Sequence, residues 1–426
     1  MNTAALAAEL RGTLPGHLSQ QRWYGAKHRG TPSVSIASID ELVPPWPAVV
    51  RVVIDCDDGR YQLVLGLRRR DDQALRGIDA GSSVGALSLG GEATQCFDAF
   101  ADEELALGLL LVVAPHERVT SARAMGADQS NTSIVYDERI VLKVFRRPAA
   151  PNPEIEMLEG LAHAGFDRIA APIAVWRDDG DDLGVLQRFL PGGTDGWAMA
   201  LESARAPDGD MSAQAALLGE TTAALHLALA AAFGAAARTP SAYADAVAAR
   251  IDAVDHPAID RDAARAAVDA VRGLGDAGLA IRIHGDYHLG QLLCAADGWY
   301  VLDFEGEPSR PVEERRQLGS PLRDVAGMLR SFSYAVGVVR REGGGAEAAL
   351  ATWERRSREA FLAAYLARLG GCGLLPARPD AVQALLDLFE LDKAVYEVGY
   401  EQGNRPEWVH IPVAGVHAVL ARRAPS

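Results

Sequence analysis

Ten consecutive residues restrict the possible folds of this chain more than any other stretch: His284-Gly285-Asp286-Tyr287-His288-Leu289-Gly290-Gln291-Leu292-Leu293. They are followed by Val301-Leu302-Asp303-Phe304-Glu305-Gly306. Residues 281–306 read as loop, short strand, turn and second strand. A carboxylate (Asp286), an amide five positions later (Gln291) and a second carboxylate after an apolar strand (Asp303) are what metal-assisted phosphoryl transfer needs. One group receives the acceptor hydroxyl's proton, and two oxygen ligands hold Mg²⁺ against nucleotide phosphates. An aspartate that only capped a helix would not call for the second acid at that place.

The rest of the chain sorts into β-rich and helical parts. Ala48–Ile54 and Tyr61–Leu67 are apolar runs joined by Asp57-Asp58-Gly59, a hairpin signal. A glycine-rich stretch, 77–91, interrupts the pattern, and helical spacing with early acids follows from Phe97 to Val113. Ser133–Tyr136 and Ile140–Phe145 flank a second hairpin turn, Asn152-Pro153 opens a helix, and Ala174–Arg177 and Gly184–Phe189 are further strands. Pro191-Gly192-Gly193 reads as a hinge. Beyond it lie alanine-rich helices over 212–232, 242–272, 323–340, 346–369 and 381–402. The domains expected are therefore 1–93 as a cap, 94–190 as an intermediate unit completing a nucleotide-binding part, and 191–426 as a helical part carrying the chemistry.

Other residues fit the same chemistry. Lys143 interrupts the apolar run Ile140–Phe145, and a buried ammonium needs an anionic partner. Glu156 on the following helix is the expected one, with Glu154 as its rival. In protein kinases the catalytic loop runs H-R-D-x-x-x-x-N and a strand lysine contacts phosphates. Here His284-Gly285-Asp286 replaces H-R-D, and Gln291, one methylene longer than Asn, keeps the amide oxygen. Gln129-Ser130-Asn131-Thr132-Ser133 stands where a kinase has its glycine-rich loop; short hydroxyl and amide side chains there could donate to phosphates from a tight turn. His288 is placed to touch the acceptor or Asp286. His226 reads as a structural histidine beneath the loop.

Taken together, H-G-D-Y-H-L-G-Q, V-L-D-F-E-G, Q-S-N-T-S and V-L-K-V-F-R-R resemble the maltokinase-like branch of the aminoglycoside-phosphotransferase fold. Gln21-Arg22-Trp23-Tyr24-Gly25-Ala26-Lys27 resembles the opening of the maltokinase cap domain. Tyr396-Glu397 to Glu401 with Asn404 to Trp408 resembles its C-terminal sugar-binding segment, and Asp195-Gly196-Trp197 also fits. The resemblance implies an α+β, bilobal, protein-kinase-like fold with an N-terminal β-rich cap and a mainly helical C-terminal lobe. It also implies ATP- and Mg²⁺-dependent phosphorylation of a sugar hydroxyl. Asp286 would be the base, Gln291 and Asp303 the metal ligands, and Lys143, Glu156, Ser130, Asn131, Thr132 and Ser133 the nucleotide site. Asp195, His288, Tyr396, Tyr400, Glu401, Glu407 and Trp408 would bind the acceptor.

The branch holds glucosamine kinases, making glucosamine 6-phosphate, and maltokinases, making maltose 1-phosphate. Two carboxylates, Glu401 and Glu407, beside Trp408 would suit the ammonium of glucosamine, whereas maltose carries no charge. Glucosamine is therefore the expected acceptor, with maltose next. Aminoglycosides and a non-catalytic nucleotide- or sugar-binding role are the remaining readings.

Composition bounds the partners. With 42 Lys+Arg against 57 Asp+Glu, the formal charge of −15 disfavours nucleic acid and anionic membranes. Four scattered cysteines without CxxC pairs argue against a disulfide scaffold or a zinc site. The longest strongly apolar run, Leu105–Pro115, is short of the ~20 residues of a membrane span. A cytoplasmic enzyme, monomeric or a weak homodimer, is expected.

Overall fold

The computed structural model describes all residues except 22, 26–29, 45, 127–130, 308–309 and 424–426. The chain divides into two compact units, Met1–Ile155 with Ala170–Pro191, and Glu156–Ile169 with Gly192–Ser426.

The first unit opens with α1 (Thr3–Gln20), whose Leu6, Leu10, Leu14 and Leu18 recur every four residues and are fully buried. That stripe packs on an antiparallel sheet of β1 (Val34–Val43), β2 (Ala48–Cys56), β3 (Gly59–Arg69), β4 (Ser83–Leu89) and β5 (Glu92–Asp98), in the order β1-β2-β3-β5-β4. Strand alternation serves two cores. Val50, Val52, Leu63 and Leu65 face α1, while Val49 and Val64 turn to the other side, toward Phe97 and α2 (Glu103–Val113). The second core is completed by β6 (Ala122–Ala124), β7 (Asn131–Tyr136), β8 (Ile140–Ala149), β9 (Pro172–Asp178) and β10 (Asp181–Arg188), ordered β6-β7-β8-β10-β9. The buried Gln62 ties the sheets together: its Nε2 donates to the carbonyls of Phe145 (2.6 Å) and Leu183 (2.7 Å).

Two local expectations need correction. The glycine-rich stretch contains β4, and Phe97 and Asp98 end β5 instead of opening a helix. The acidic run holds two successive caps. Asp98 caps a single 3₁₀ turn, and Asp102 caps α2 by accepting from the Leu105 amide at 3.1 Å.

The second unit takes over within α3 (Pro153–His163) and is mainly helical: α4 (Gly196–Arg205), α5 (Ser212–Phe233), α6 (Pro240–Ala253), α7 (Arg261–Arg272), α8 (Val312–Arg315), α9 (Leu322–Arg341), α10 (Glu347–Leu369), α11 (Pro379–Asn404) and α12 (His410–Arg423). Its strands are β11 (Thr194–Asp195), β12 (Ala235–Ala237), β13 (Leu279–Ile281), β14 (Leu292–Ala295) and β15 (Gly298–Val301). They form a three-stranded sheet, β11-β14-β15, and the pair β12-β13. The single helix expected over 242–272 is two helices. Pro257 lies between them, and Asp260 caps the second by accepting from the amides of Asp262 and Ala263.

By length and composition α5 is apolar enough to cross a membrane, and 39% of its apolar stretch is buried inside the structure. Its Leu218, Leu225 and His226 are fully buried, and a Cβ on Gly219 would stand 2.3 Å from the Phe361 carbonyl of α10.

Candidate active site

Loop 284–291 is held from beneath by one buried aspartate that the sequence reading missed. Asp324, in the first turn of α9, is 2% exposed. Its Oδ2 accepts from the His284 amide at 2.8 Å and its Oδ1 from the Gly285 amide at 3.0 Å. His226 reaches the same carboxylate through Nε2 (3.2 Å), and its Nδ1 meets the Tyr365 hydroxyl at 2.8 Å. His226 therefore lies beneath the loop, as expected, but acts through Asp324. Burial pushes the Asp324 carboxyl up; the hydrogen bond from His226, first among the opposing effects, and the Gly285 amide help to bring it below its ordinary value.

The loop backbone has two steric requirements. Gly285 sits at φ +85°, a left-handed conformation that costs a side-chain-bearing residue. Gly327 of α9 lets the loop lie close, because a Cβ there would stand 2.6 Å from the Tyr287 carbonyl. His284 then ties the loop to the end of β15. One tautomer satisfies both ring nitrogens: Nε2 donates to the Leu302 carbonyl (2.9 Å) and Nδ1 accepts from the Asp286 amide (3.4 Å).

These anchors hold the loop that carries Asp286 and Gln291. The Asp286 carboxylate is met by Lys393 Nζ of α11 at 3.1 Å and by His288 Nε2 at 3.8 Å. Burial pushes the Asp286 carboxyl up, but the charge of Lys393, with its hydrogen bond, leads the effects that bring it below its ordinary value. Burial also lowers His288, favouring a neutral ring. His288 in addition caps the following turn, its Nδ1 accepting from the Gly290 amide at 3.1 Å. Gln291 Nε2 donates to Asp303 Oδ2 at 3.2 Å, and the Leu302 amide donates to the Gln291 carbonyl at 2.9 Å. Asp303 adopts φ +58°, a left-handed conformation uncommon for a residue with a side chain. Asp303 supplies a hard oxygen donor of the kind Mg²⁺ takes, and Gln291, which turns its amide nitrogen to Asp303, supplies a second once that amide is turned over, so the residue types fit the cation.

In the first unit, Lys143 of β8 is paired with Glu154 at 2.8 Å. The expected partner, Glu156, instead binds Arg316 (2.8 Å) and Arg282 (2.9 Å). Residues two apart on a helix point roughly 200° from each other, so the two acids cannot serve the same lysine. Asn131, Thr132 and Ser133 do not form a turn but open β7, where Ser133 lies opposite Lys143. Asn131 Oδ1 accepts from the Arg146 amide (3.3 Å), and Thr132 Oγ1 accepts from the Arg146 side chain (2.5 Å). Ser130 lies outside the described residues.

The C-terminal acceptor residues are more engaged than expected. Glu401 is 2% exposed, paired with Arg405 at 2.6 Å and accepting from the Tyr334 hydroxyl. It is not left to receive an ammonium. The Trp408 ring is stacked on Tyr334 (6.5 Å, 13°), with the guanidinium groups of Arg341 (4.5 Å) and Arg405 (4.9 Å) over it. Arginine side chains thus lie where a sugar ring was expected to stack, while Glu407 is exposed. Asp195 caps α4, accepting from the Ala198 amide at 2.7 Å. Tyr400 is 48% exposed. Of the C-terminal residues, Tyr396 is tied to the loop most directly: its ring lies 5.2 Å from Lys393 Nζ. Lys393 lies in the middle of α11. Its position beside Asp286, 107 residues earlier, leaves no local signal.

Residues 121–382 match the model of the Phosphotransferase enzyme family, and residues 17–102 that of the Maltokinase N-terminal cap domain. A glucosamine kinase of Mycolicibacterium smegmatis is 31% identical over 320 residues, covering 70% of this chain and 79% of its own. A glucosamine kinase of Streptacidiphilus jiangxiensis is 30% identical over 342 residues, covering 72% and 75%. Among solved structures, a glucosamine kinase has the same fold at 22% identity, with a TM-score of 0.67 over 91% of this chain and 93% of that one. Another, of a glucosamine kinase in complex with glucosamine, ADP and inorganic phosphate, gives a TM-score of 0.64 at 22% identity, covering 92% and 94%. With the family model spanning more than half its length, the chain belongs to the phosphotransferase enzyme family and carries a maltokinase-type N-terminal cap.

Proposed function

We propose that this phosphotransferase is an ATP- and Mg²⁺-dependent sugar kinase that phosphorylates glucosamine to glucosamine 6-phosphate. The observation that carries the chemistry is the joint placement of Asp286 on the anchored loop and of Gln291 against Asp303. Asp286 accepts the proton of the acceptor hydroxyl as that oxygen attacks the γ-phosphorus. Gln291 and Asp303 hold Mg²⁺, which when bound neutralises charge on the phosphates. Lys143, oriented by Glu154, binds the nucleotide phosphates.

The acceptor rests on two relatives about 30% identical, both glucosamine kinases. It no longer rests on Glu401, whose charge Arg405 takes up. Maltose is the second reading, favoured by the cap match over residues 17–102. A panel of glucosamine, glucose, maltose and an aminoglycoside, followed by ADP release with product identification by phosphorus NMR, separates them. Glucosamine is expected to give a 6-phosphomonoester. Turnover of maltose alone, with an anomeric phosphate product, would overturn the acceptor assignment.

The corrected lysine partner gives a paired prediction. Glu154→Gln is expected to raise the KM for ATP and lower kcat by about tenfold or more, the range seen when a supporting group is lost. Glu156→Gln is expected to leave both near wild type and to lower thermal stability instead. Steady-state kinetics in ATP and a melting curve for each variant check this.

A further inference from the structure

We propose that Lys393 is a positioning residue for Asp286: its ammonium, carried on α11, orients the carboxylate toward the acceptor hydroxyl. This rests on the reading of Asp286 as the base. Asp324 and His284 fix the loop through backbone amides, which sets the Asp286 main chain but leaves its side-chain torsions open. The closest cation to the carboxylate among the described residues is Lys393, at 3.1 Å, and the ion pair is only about a quarter exposed.

Lys393 is itself held. Its ammonium lies 5.2 Å from the Tyr396 ring centroid, and Glu397, one helical turn on, adds favourable charge. Glu397 is locked by Arg330 of α9, 3% exposed, at 2.8 Å. Gly415 of α12 makes room for that guanidinium, because a Cβ there would stand 2.1 Å from Arg330 Nη1. Three helices therefore converge on the placement of one ammonium. The charged and titratable groups facing the pair are His284 and His288 from the loop, Glu397 from α11 and Glu307 from the segment after β15; Asp303 acts on His288.

With the ammonium removed, a buried carboxylate would either turn toward other partners or take up a proton at higher pH. Lys393→Met is therefore expected to move the acidic limb of the kcat/KM profile upward by about 1–3 pH units, the usual effect of losing an adjacent opposite charge. On the plateau kcat should fall, because orientation is lost too. Lys393→Arg should restore the limb, and Lys393→Gln replaces the Met variant if that one does not fold. An unmoved limb, with only the sugar KM raised, would make Lys393 an acceptor contact and overturn the inference. Near-normal turnover in Asp286→Asn would instead remove the base reading beneath it. An inactive Asp286→Asn with an unmoved Lys393→Met limb sinks this inference alone.

Discussion

Asp286→Asn is expected to lower kcat by about 10²–10⁴-fold, the contribution typical of a positioned general base, with nucleotide affinity near that of the wild type. Asparagine has the same shape and can still accept a hydrogen bond from Lys393, but cannot take the acceptor's proton at neutral pH. The loop should keep its place, because its anchors are the backbone amides of His284 and Gly285 on Asp324. Lys393 retains the favourable charges of Glu397 and Glu307. Steady-state kinetics together with calorimetric titration of nucleotide tests both halves. Wild-type turnover in this variant would exclude Asp286 as the base.

Asp324→Ala is expected to be the most destabilising change in the loop's support, at about 3–5 kcal/mol, the cost of breaking a buried charged pair. It would strand two backbone amides and the His226 ring away from water. At about 2 °C per kcal/mol for a unit of this size, the melting temperature should fall by roughly 6–10 °C. Asp324→Asn should fall between, since one amide oxygen cannot accept all three donors. The pH dependence has a definite sign. The folded carboxyl lies below its ordinary value, so its stabilisation is fully present above about 3.9 and is lost as pH falls through the lowered folded value. The alanine variant should lose that part of the acid sensitivity. Melting curves from neutral to acidic pH check this, and an unchanged melting temperature at neutral pH would show that the loop does not depend on Asp324.

The local elements were largely readable. Apolar and β-branched runs marked β2, β3, β7, β8 and β10, and helical, alanine-rich stretches marked α5, α9, α10 and α11. The errors fall where two local signals compete. Asp98 and Asp102 both look like helix starts, but the first caps only a short turn. An alanine-rich pattern runs through 242–272, but the chain breaks near Pro257. At the candidate site, Asp286, Gln291 and Asp303 stand out in the sequence because they lie within one loop and the strand pair after it.

What lay beyond reach was the choice among possible side-chain partners. Both Glu154 and Glu156 are compatible with a lysine partner in one dimension; only the rotation of α3 against β8 selects Glu154. Glu401 and Trp408 look available in sequence, but Arg405, Arg341 and Tyr334 engage them in the fold.

The sequence by itself determined the reaction class, because the spacing of Asp286, Gln291 and Asp303 over one loop and one strand is a local pattern. Only the tertiary structure decided which charges are already spent and which act on the base. Those depend on side chains that meet across distances such as the 107 residues between Lys393 and Asp286, where periodicity and local spacing carry no information.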